Sequence, residues 1–282
     1  MAMHSLELKD SQLNATNAPH CTFFGILGSE SLSAIAVNGD GKLMAFESWE
    51  YYQQLKSFEQ VEREVRGLLK QETIFRLPFG QNFVAVSHPF VTLIPRRLFQ
   101  HGKLPEYFQL VIKPGEYQYT YEELPEFDAY LVCATEKGQA RLFTEFFPDA
   151  RIRHLAAPIL RYIRKLAAVS EHTIFVNLRA QVAQIVVLER QNLLFFNTYQ
   201  FSTATDLLYY VLLAYDQFRL NPQHTPLTLA GNILKDSELF RMVYRFVREV
   251  RFATPPVDIQ LPQEVETLAA HCITDLLCLK NS

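Results

Sequence analysis

The chain has 282 residues, of which 49% are hydrophobic and 20% are charged, as in a folded globular protein of one large or two modest domains. Its formal net charge of −3 provides no general attraction to nucleic acid or anionic membranes, and no apolar run approaches the roughly 18 residues of a membrane span. The four cysteines form no CxxC pair, so we expect reduced core thiols, a cytoplasmic protein and no metal centre.

Residues 1–21 are polar and carry acidic groups, so they are not a secretory signal and are expected to form a loose arm. A buried strand begins at Thr22. A second strand over residues 31–37, a turn and a return strand over residues 43–46 complete a hairpin pattern. Apolar residues at three- and four-residue spacing then predict a helix over residues 49–70.

An aromatic segment follows predicted strands at residues 74–79, 82–86 and 90–94. Tyr117, Tyr119 and Tyr121 alternate, so they share one face of an extended segment. We favour a local tyrosine cluster that covers a sheet, because exposed edges are usually charged or covered. A docking edge for a partner protein is the alternative.

Strands and helices alternate from residue 129 onward, which is typical of α/β proteins. The predicted strands are residues 129–134, 152–155, 173–178 and 226–230, and the predicted helices are residues 137–147, 158–169, 203–219, 234–250 and 261–279. The hairpin pattern recurs within this half. A shift of 151 residues superimposes the strand that contains Ile26 on the strand that contains Asn177. This repeat predicts a two-lobed fold with a boundary near Ser170.

This order of elements resembles the actin-like ATPase superfamily, whose two lobes are each built on a ribonuclease-H-like sheet. Within it, the chain looks closest to a bacterial family of unknown function, and it is distantly similar to pilus-assembly and secretion actin-like proteins. The resemblance covers residues 22–279. It implies an α/β fold with two actin-like lobes, residues 22–170 and 171–282, each a mixed sheet with flanking helices.

In the superfamily, the first strand of each lobe carries an Asp, one further residue and a Gly, and the two Asp side chains help to hold Mg²⁺. Here the first motif reads Ile26, Gly28 and Ser29, and the second reads Asn177 and Arg179. Isoleucine cannot bind a hard cation, and an amide binds it more weakly than a carboxylate. The arginine places a bulky side chain where phosphate comes close to the backbone in relatives. Its positive charge could nevertheless attract an anion. We expect positions 26 and 177 side by side at a degenerate nucleotide cleft.

A third motif of the superfamily, a Gly-containing turn near the adenosine, corresponds to Ala230, Gly231 and Asn232. Glycine is scarce in this chain, and Gly231 is the only one after Gly138. We favour a strand-to-helix turn that needs one small residue. The alternative is the remnant of a phosphate or adenosine site at a helix N-terminus.

Four arginines recur at intervals of three or four residues within the predicted helix over residues 234–250 and just beyond it: Arg241, Arg245, Arg248 and Arg251. A solvated helix face is the favoured interpretation. A site for an acidic partner or for nucleic-acid phosphate is the alternative, although the acidic total charge argues against nucleic acid.

Neither lobe has its strand carboxylate, and the sequence has no P-loop, dinucleotide fingerprint, nucleophile elbow or HExxH motif. Because phosphoryl transfer depends on metal-assisted charge stabilisation, we predict a non-catalytic scaffold or regulatory module that binds an unidentified protein partner and no cofactor. Two alternatives stay open. One is a weak or active Mg-ATPase that uses another carboxylate such as Asp206, and the other is a nucleic-acid-associated module.

Overall fold

A computed structural model describes residues 3–51, 58–112, 115, 117–150, 153–167, 171–261 and 270–281. The strands are β1 (Met3–Lys9), β2 (Cys21–Gly28), β3 (Ser31–Asn38), β4 (Leu43–Glu50), β5 (Gln81–Ser87), β6 (Val91–Pro95), β7 (Tyr117–Leu124), β8 (Ala129–Glu136), β9 (Arg153–His154), β10 (His172–Arg179), β11 (Val182–Glu189), β12 (Asn192–Gln200), β13 (Leu227–Gly231) and β14 (Val250–Phe252). The α-helices are α1 (Phe58–Gln71), α2 (Lys137–Phe146), α3 (Ala156–Leu166), α4 (Ala204–Gln217), α5 (Glu238–Tyr244) and α6 (Thr274–Cys278).

Two mixed sheets repeat one arrangement. The first sheet has the order β1-β4-β3-β2-β5-β9, and the second has the order β12-β11-β10-β13-β14. In each sheet an antiparallel three-strand meander joins two parallel strands through its first strand. A shift of 151 residues takes β2 onto β10 and β3 onto β11, residue for residue. The predicted internal repeat is therefore confirmed.

The two sheets pack on a shared central layer. Phe24 and Ile26 of β2 belong to the same apolar cluster as Phe175 of β10, together with helices α3 and α6. The alternate residues of each strand face outward into separate clusters, covered by α1 and α2 on the first sheet and by α4 and α5 on the second. Because β2 and β10 are buried on both faces, their sequences are nearly continuous apolar runs.

Helix α6 touches both β2 and β13, so it lies between the two sheets. The segment that leads from β14 toward it also returns to the first sheet. There Leu43 donates its backbone N–H to the Gln260 carbonyl at 3.0 Å, and Gln260 donates to the Gly41 carbonyl at 2.9 Å. The end of the chain is thus packed against both sheets and not against the second alone.

A small antiparallel sheet, in the order β6-β8-β7, is inserted between β5 and β9. One of its faces contributes Leu131 to the central cluster, and the other packs Val132 against Phe108. The tyrosine alternation predicted an extended segment, and β7 confirms it. Within the described residues β7 pairs only with β8, so it is an edge strand.

The prediction that residues 1–21 form a loose arm is wrong. Strand β1 pairs antiparallel with β4 and forms the outer strand of the first sheet. Leu13 and Ala18, in the following loop, are buried in the outer cluster. The polar composition of residues 1–21 hid this strand, because an edge strand needs few apolar residues once a neighbouring strand satisfies its backbone.

Three further boundaries differ from the prediction. Strand β4 extends through Trp49 to Glu50, so the expected helix over residues 49–70 begins only with α1, and residues 52–57 lie outside the described part. The expected strand over residues 74–79 is replaced by the 3-10 turn Thr73–Arg76. The expected lobe boundary near Ser170 also lies outside the described residues.

The long helix expected over residues 234–250 is wrong. Ser237 caps α5 through its side chain, the helix ends at Tyr244, and the chain then enters β14. Pairing of Val250 with Leu227 draws this segment into the second sheet, so tertiary pairing overrides the helical pattern. Of the helix expected over residues 261–279, the described part contains a 3-10 turn and α6, and residues 262–269 lie outside it.

Candidate functional site

The turns of the two repeated hairpins contact one another. The β2–β3 turn contains Glu30, and the β10–β11 turn contains Ala180 and Gln181. Ala180 has a φ of +46°, which allows a two-residue connection. The backbone N–H of Gln181 donates a hydrogen bond to the Glu30 carboxylate. The two hairpin turns therefore bind each other.

Arg179 ends β10, and its side chain forms a buried ion pair with Asp275 of α6. Their side chains are 2% and 1% exposed. Nε of Arg179 donates to Oδ2 of Asp275 at 2.6 Å, while Nη2 donates to Oδ1. Two parallel hydrogen bonds between a guanidinium and a carboxylate form the strongest and most directional type of ion pair in proteins.

The same guanidinium reaches the first sheet. Nη1 of Arg179 donates to Oγ of Ser33 on β3 at 2.8 Å and to Oδ1 of Asn232 at 3.4 Å. Ser33 also shares a hydrogen bond of 2.9 Å with Ser48 of β4. One side chain thus links β3 of the first sheet, the end of β10, the turn after β13 and helix α6. We call Ser33, Arg179 and Asp275 the buried clamp.

Asn177, two residues before Arg179, faces the same carboxylate. Its Nδ2 donates to Oδ2 of Asp275 at 3.2 Å, and the side chain is buried. Oδ1 of Asp275 also accepts from the backbone N–H of Leu276 at 2.8 Å. The carboxylate is therefore surrounded by donors from the chain itself, and a metal would have to displace the arginine to reach it.

Ile26 lies on the face of the first sheet that looks toward the second, directly opposite Ser33 in the β2–β3 register. It is buried in the central apolar cluster with Ala230 and Leu276, so it contributes packing and no ligand atom. Isoleucine at this position fits a close-packed interface between the sheets.

Gly28 and Ser29 begin the first turn. The Gly28 carbonyl accepts a hydrogen bond from the Tyr51 hydroxyl at 2.9 Å, and the Ser29 N–H donates to the Ser87 carbonyl at 3.2 Å. Oγ of Ser29 is buried and has no hydrogen-bond partner within the described residues. The backbone of this turn is therefore held by neighbouring strands.

Gly231 is required by its backbone. It has a φ of +83°, and a Cβ at this position would lie 2.0 Å from the Leu178 carbonyl oxygen. The N–H of Asn232 donates to the same oxygen at 2.7 Å. Ala230 pairs with Asn177 across β13 and β10. These contacts support the interpretation of residues 230–232 as a strand-to-helix turn that needs a small residue.

Two more carboxylates lie beside the clamp. The Asn232 side chain hydrogen-bonds to Glu50, whose pKa is raised by burial against the opposing effects of Asn232 and the Arg179 charge. Burial also raises the pKa of Glu30, and the Glu50 charge adds to the rise, although the Gln181 N–H opposes it. Asp275 and Glu50 both interact with the Arg179 charge, so two acidic groups lie beside one guanidinium, an environment that disfavours a polyanion such as a triphosphate.

The residues here do not fit a magnesium–nucleotide complex in the arrangement observed. Neither Ile26 nor Asn177 offers a carboxylate, and Arg179 fills the space beside Asp275. Within the described residues, no group of three or more His, Cys, Asp or Glu side chains is placed to hold a metal ion. Asp206, the alternative carboxylate, caps α4 by accepting the N–H groups of Ser202 and Thr203 at 3.0 and 2.9 Å.

The four arginines of the predicted basic row do not share one helix. Arg241 lies in α5, Arg245 is its C-cap, Arg248 follows the helix, and Arg251 lies in β14. All four are exposed, and Arg251 forms an ion pair with Glu249. The expectation of a continuous helical row is therefore wrong, because the helix ends before its third member.

Sequence reasoning missed Asp275, Ser33 and Glu50. Asp275 lies within an apolar run from Ile273 to Leu279, and a charge in such a run must be paired if the run is buried. This signal indicates that a partner exists. It does not identify Arg179, because the two residues are 96 positions apart and only the packing of α6 between the sheets brings them together.

In the part of the chain that the structure describes, no helix is long and apolar enough to cross a membrane. No curated protein matches the sequence significantly. Among solved structures, a Bacteroides thetaiotaomicron protein described as having an actin-like ATPase fold and unknown function is similar with a TM-score of 0.71 at 17% identity, over 86% of this chain and 94% of that one. A PilM–PilN type IV pilus biogenesis complex gives a TM-score of 0.59 at 14% identity, over 92% of this chain and 96% of that one.

These similarities show the fold, and they confirm the actin-like α/β architecture of two lobes. The family itself is shown by sequence. The family model described as "Protein of unknown function (DUF3822)" matches residues 10–250. That match spans most of the chain, and the protein therefore belongs to the DUF3822 family.

Proposed function

We propose that this protein is a non-catalytic member of the actin-like fold that acts as a scaffold or regulatory module for a protein partner. The observation that carries the proposal is the buried clamp. Arg179 bonds Asp275 and Ser33, and so occupies the place where relatives would receive magnesium and phosphate. A side chain of the protein itself thus links the two lobes there through hydrogen bonds.

The chemistry of phosphoryl transfer supports the non-catalytic part. Such catalysis relies on metal ions and cationic groups that stabilise charge on the transferred phosphoryl group. In this site the single guanidinium is neutralised by Asp275, and the two motif positions on the strands carry Ile26 and Asn177. The Asp275 carboxylate could take part in metal binding only if its bonds to Arg179 were broken.

The protein-binding part rests on a different support. One structurally similar protein, PilM, is solved as a complex with PilN, which shows that a protein of this fold can serve as a partner-binding subunit. All four cysteines of the chain are buried free thiols, which fits a reducing, cytoplasmic compartment.

Thermal unfolding of the full chain with and without millimolar Mg-ATP tests the non-catalytic part. We expect the same Tm in both conditions and no phosphate release. A ligand present at 100 times its Kd would add about 2.7 kcal/mol to the unfolding free energy, which is readily measured. A magnesium-dependent rise in Tm, abolished by EDTA, would contradict the proposal, and phosphate release would establish an ATPase.

The variant Arg179→Gly sharpens this test, because it restores the small residue that relatives have at this position. If the arginine excludes nucleotide, Mg-ATP should cause a small rise in the Tm of this variant. A Tm rise in the wild-type chain of the same size as in the variant would show that the clamp is no obstacle.

A further inference from the structure

A groove of about 840 Å³ follows strand β7 of the inserted sheet, away from the clamp. It is lined by His101, Leu104, Tyr119, Thr120, Tyr121, Glu122, Glu123, Arg153 and Arg161. Five of these residues are consecutive in β7. Successive side chains of a strand point to opposite faces of its sheet. A groove that touches all five must therefore run along the outer edge of the strand.

That edge offers backbone hydrogen-bonding groups. Strand β7 pairs with β8 along its whole length on one side. On the other side, no backbone hydrogen bond to residues 118–124 occurs within the described part of the chain. An edge strand with such groups is a template for a further strand. Tyr121 in the middle of this edge is 43% exposed.

The two walls of the groove differ in chemistry. On one wall, the His101 ring meets the Tyr121 ring edge to face at 5.0 Å, and Leu104 lies beside them. Tyr119 leans on Phe108 with the ring centres 6.1 Å apart. This wall is aromatic and apolar, and it suits alternate apolar side chains of an extended chain.

The opposite wall carries two arginines that are paired with two glutamates. Nη1 of Arg161 and Nη1 of Arg153 share one oxygen of Glu122, at 2.8 and 3.7 Å, and Nε of Arg161 donates to Glu126 at 2.8 Å. Nη2 of Arg161 has no hydrogen-bond partner within the described residues, and both arginines are partly exposed in the groove. Nη2 of Arg161 can therefore donate to a hydrogen-bond acceptor of a ligand at this wall.

We propose that this groove binds an extended segment of the partner protein, which adds a strand to β7. Its apolar side chains would contact Leu104 and Tyr121, and a hydrogen-bond acceptor of the segment would face Arg161. The volume lies within the range of about 300–1,000 Å³ typical of ligand sites, and strand addition is a common mode of peptide recognition. The inference rests on the protein-binding part of the proposed function and names the kind of partner.

Selection of a displayed random-peptide library on the full chain tests the groove without knowledge of the partner. We expect enriched peptides that alternate apolar residues with residues whose side chains accept hydrogen bonds. Their binding should fall at least tenfold for Tyr121→Ala and for Arg161→Ala. Tyr209→Ala is the matched control, because Tyr209 is 61% exposed on α4 of the other lobe, and it should leave binding unchanged. Circular dichroism confirms that each variant is folded.

Hydrogen exchange distinguishes strand addition from other contacts. The selected peptide should slow exchange of the amides of residues 117–124 and leave those of β12 unchanged. Failure to obtain any binder, enrichment of basic peptides, or equal binding by both groove variants would overturn the proposal. So would a concentration-dependent dimer abolished by Tyr121→Ala, since the edge would then pair with a second copy. None of these outcomes depends on nucleotide. This proposal and the expectation that Mg-ATP leaves the Tm unchanged can therefore fail separately.

Discussion

The two repeated hairpins share strand lengths and register and differ in chemistry. Strands β2 and β3 correspond residue for residue to β10 and β11, with a two-residue turn between the strands in both lobes. The first hairpin ends its leading strand with Gly28, and the second ends it with Arg179. Equal strand lengths and register therefore do not fix the chemistry at the strand end. In the second hairpin the Arg179 side chain fills that place with its bonds to Asp275 and Ser33.

The largest expected effect comes from removing that side chain. Arg179→Ala leaves Asp275 buried without its counter-charge, and breaking a buried pair in this way costs about 3–5 kcal/mol of unfolding free energy. Urea denaturation measures the loss. The double variant Arg179→Met with Asp275→Leu removes both charges and should regain most of the stability. If Arg179→Ala loses less than about 1 kcal/mol, the clamp does not hold the lobes together.

Gly28, at the end of β2, and Gly231, at the end of β13, provide a smaller contrast. Gly231→Ala should lose at least about 2 kcal/mol, because its φ of +83° is strained for alanine and the new Cβ meets the Leu178 carbonyl at 2.0 Å. Gly28→Ala should cost less, since its Cβ meets the movable Oγ of Ser31 at 2.9 Å. Thermal unfolding of the two variants compares them. Equal losses would mean that the two turns are equally constrained.

The smallest expected effect is a pH dependence from the acidic groups beside the clamp. The pKa of Glu50 is raised in the folded protein by burial, so the folded state holds this proton more tightly than the unfolded state does. Its contribution to stability is therefore present below the ordinary pKa of glutamate and is lost as pH rises through the folded value. Glu50→Gln should gain stability relative to the wild type at pH 8 but not at pH 4.

The exposed Glu171→Gln is a suitable control for this pH dependence, because Glu171 lies away from the clamp. Its unfolding free energy should track that of the wild type at both pH values. A Glu50→Gln variant that loses stability at pH 8 would show that the ionised carboxylate is needed, most directly for its hydrogen bond to Asn232.

The sequence was sufficient to find the hairpin repeat, because both copies keep their strand length and register. The loss of the strand carboxylates at positions 26 and 177 is likewise a property of the sequence alone. The sequence did not allow the partner of Arg179 to be identified. Asp275 meets it only because α6 packs between the sheets, and local periodicity carries no information on such packing.

Local patterns also failed where tertiary pairing decides the structure. Residues 234–250 have the apolar spacing of one long helix, yet Val250 pairs with Leu227 and the helix ends at Tyr244. Strand β1 was missed for a related reason. Its backbone pairs with β4, and this contact between distant parts of the chain does not require an apolar sequence.

The central claim is that the clamp closes the place where relatives bind magnesium and nucleotide. A crystal structure of the full chain grown with magnesium and a non-hydrolysable ATP analogue tests it most directly. We predict that Arg179 still bonds Asp275 and Ser33 and that no nucleotide lies between the lobes. A nucleotide bound there, with the arginine turned away from Asp275 and a metal ion beside its phosphates, would contradict the account.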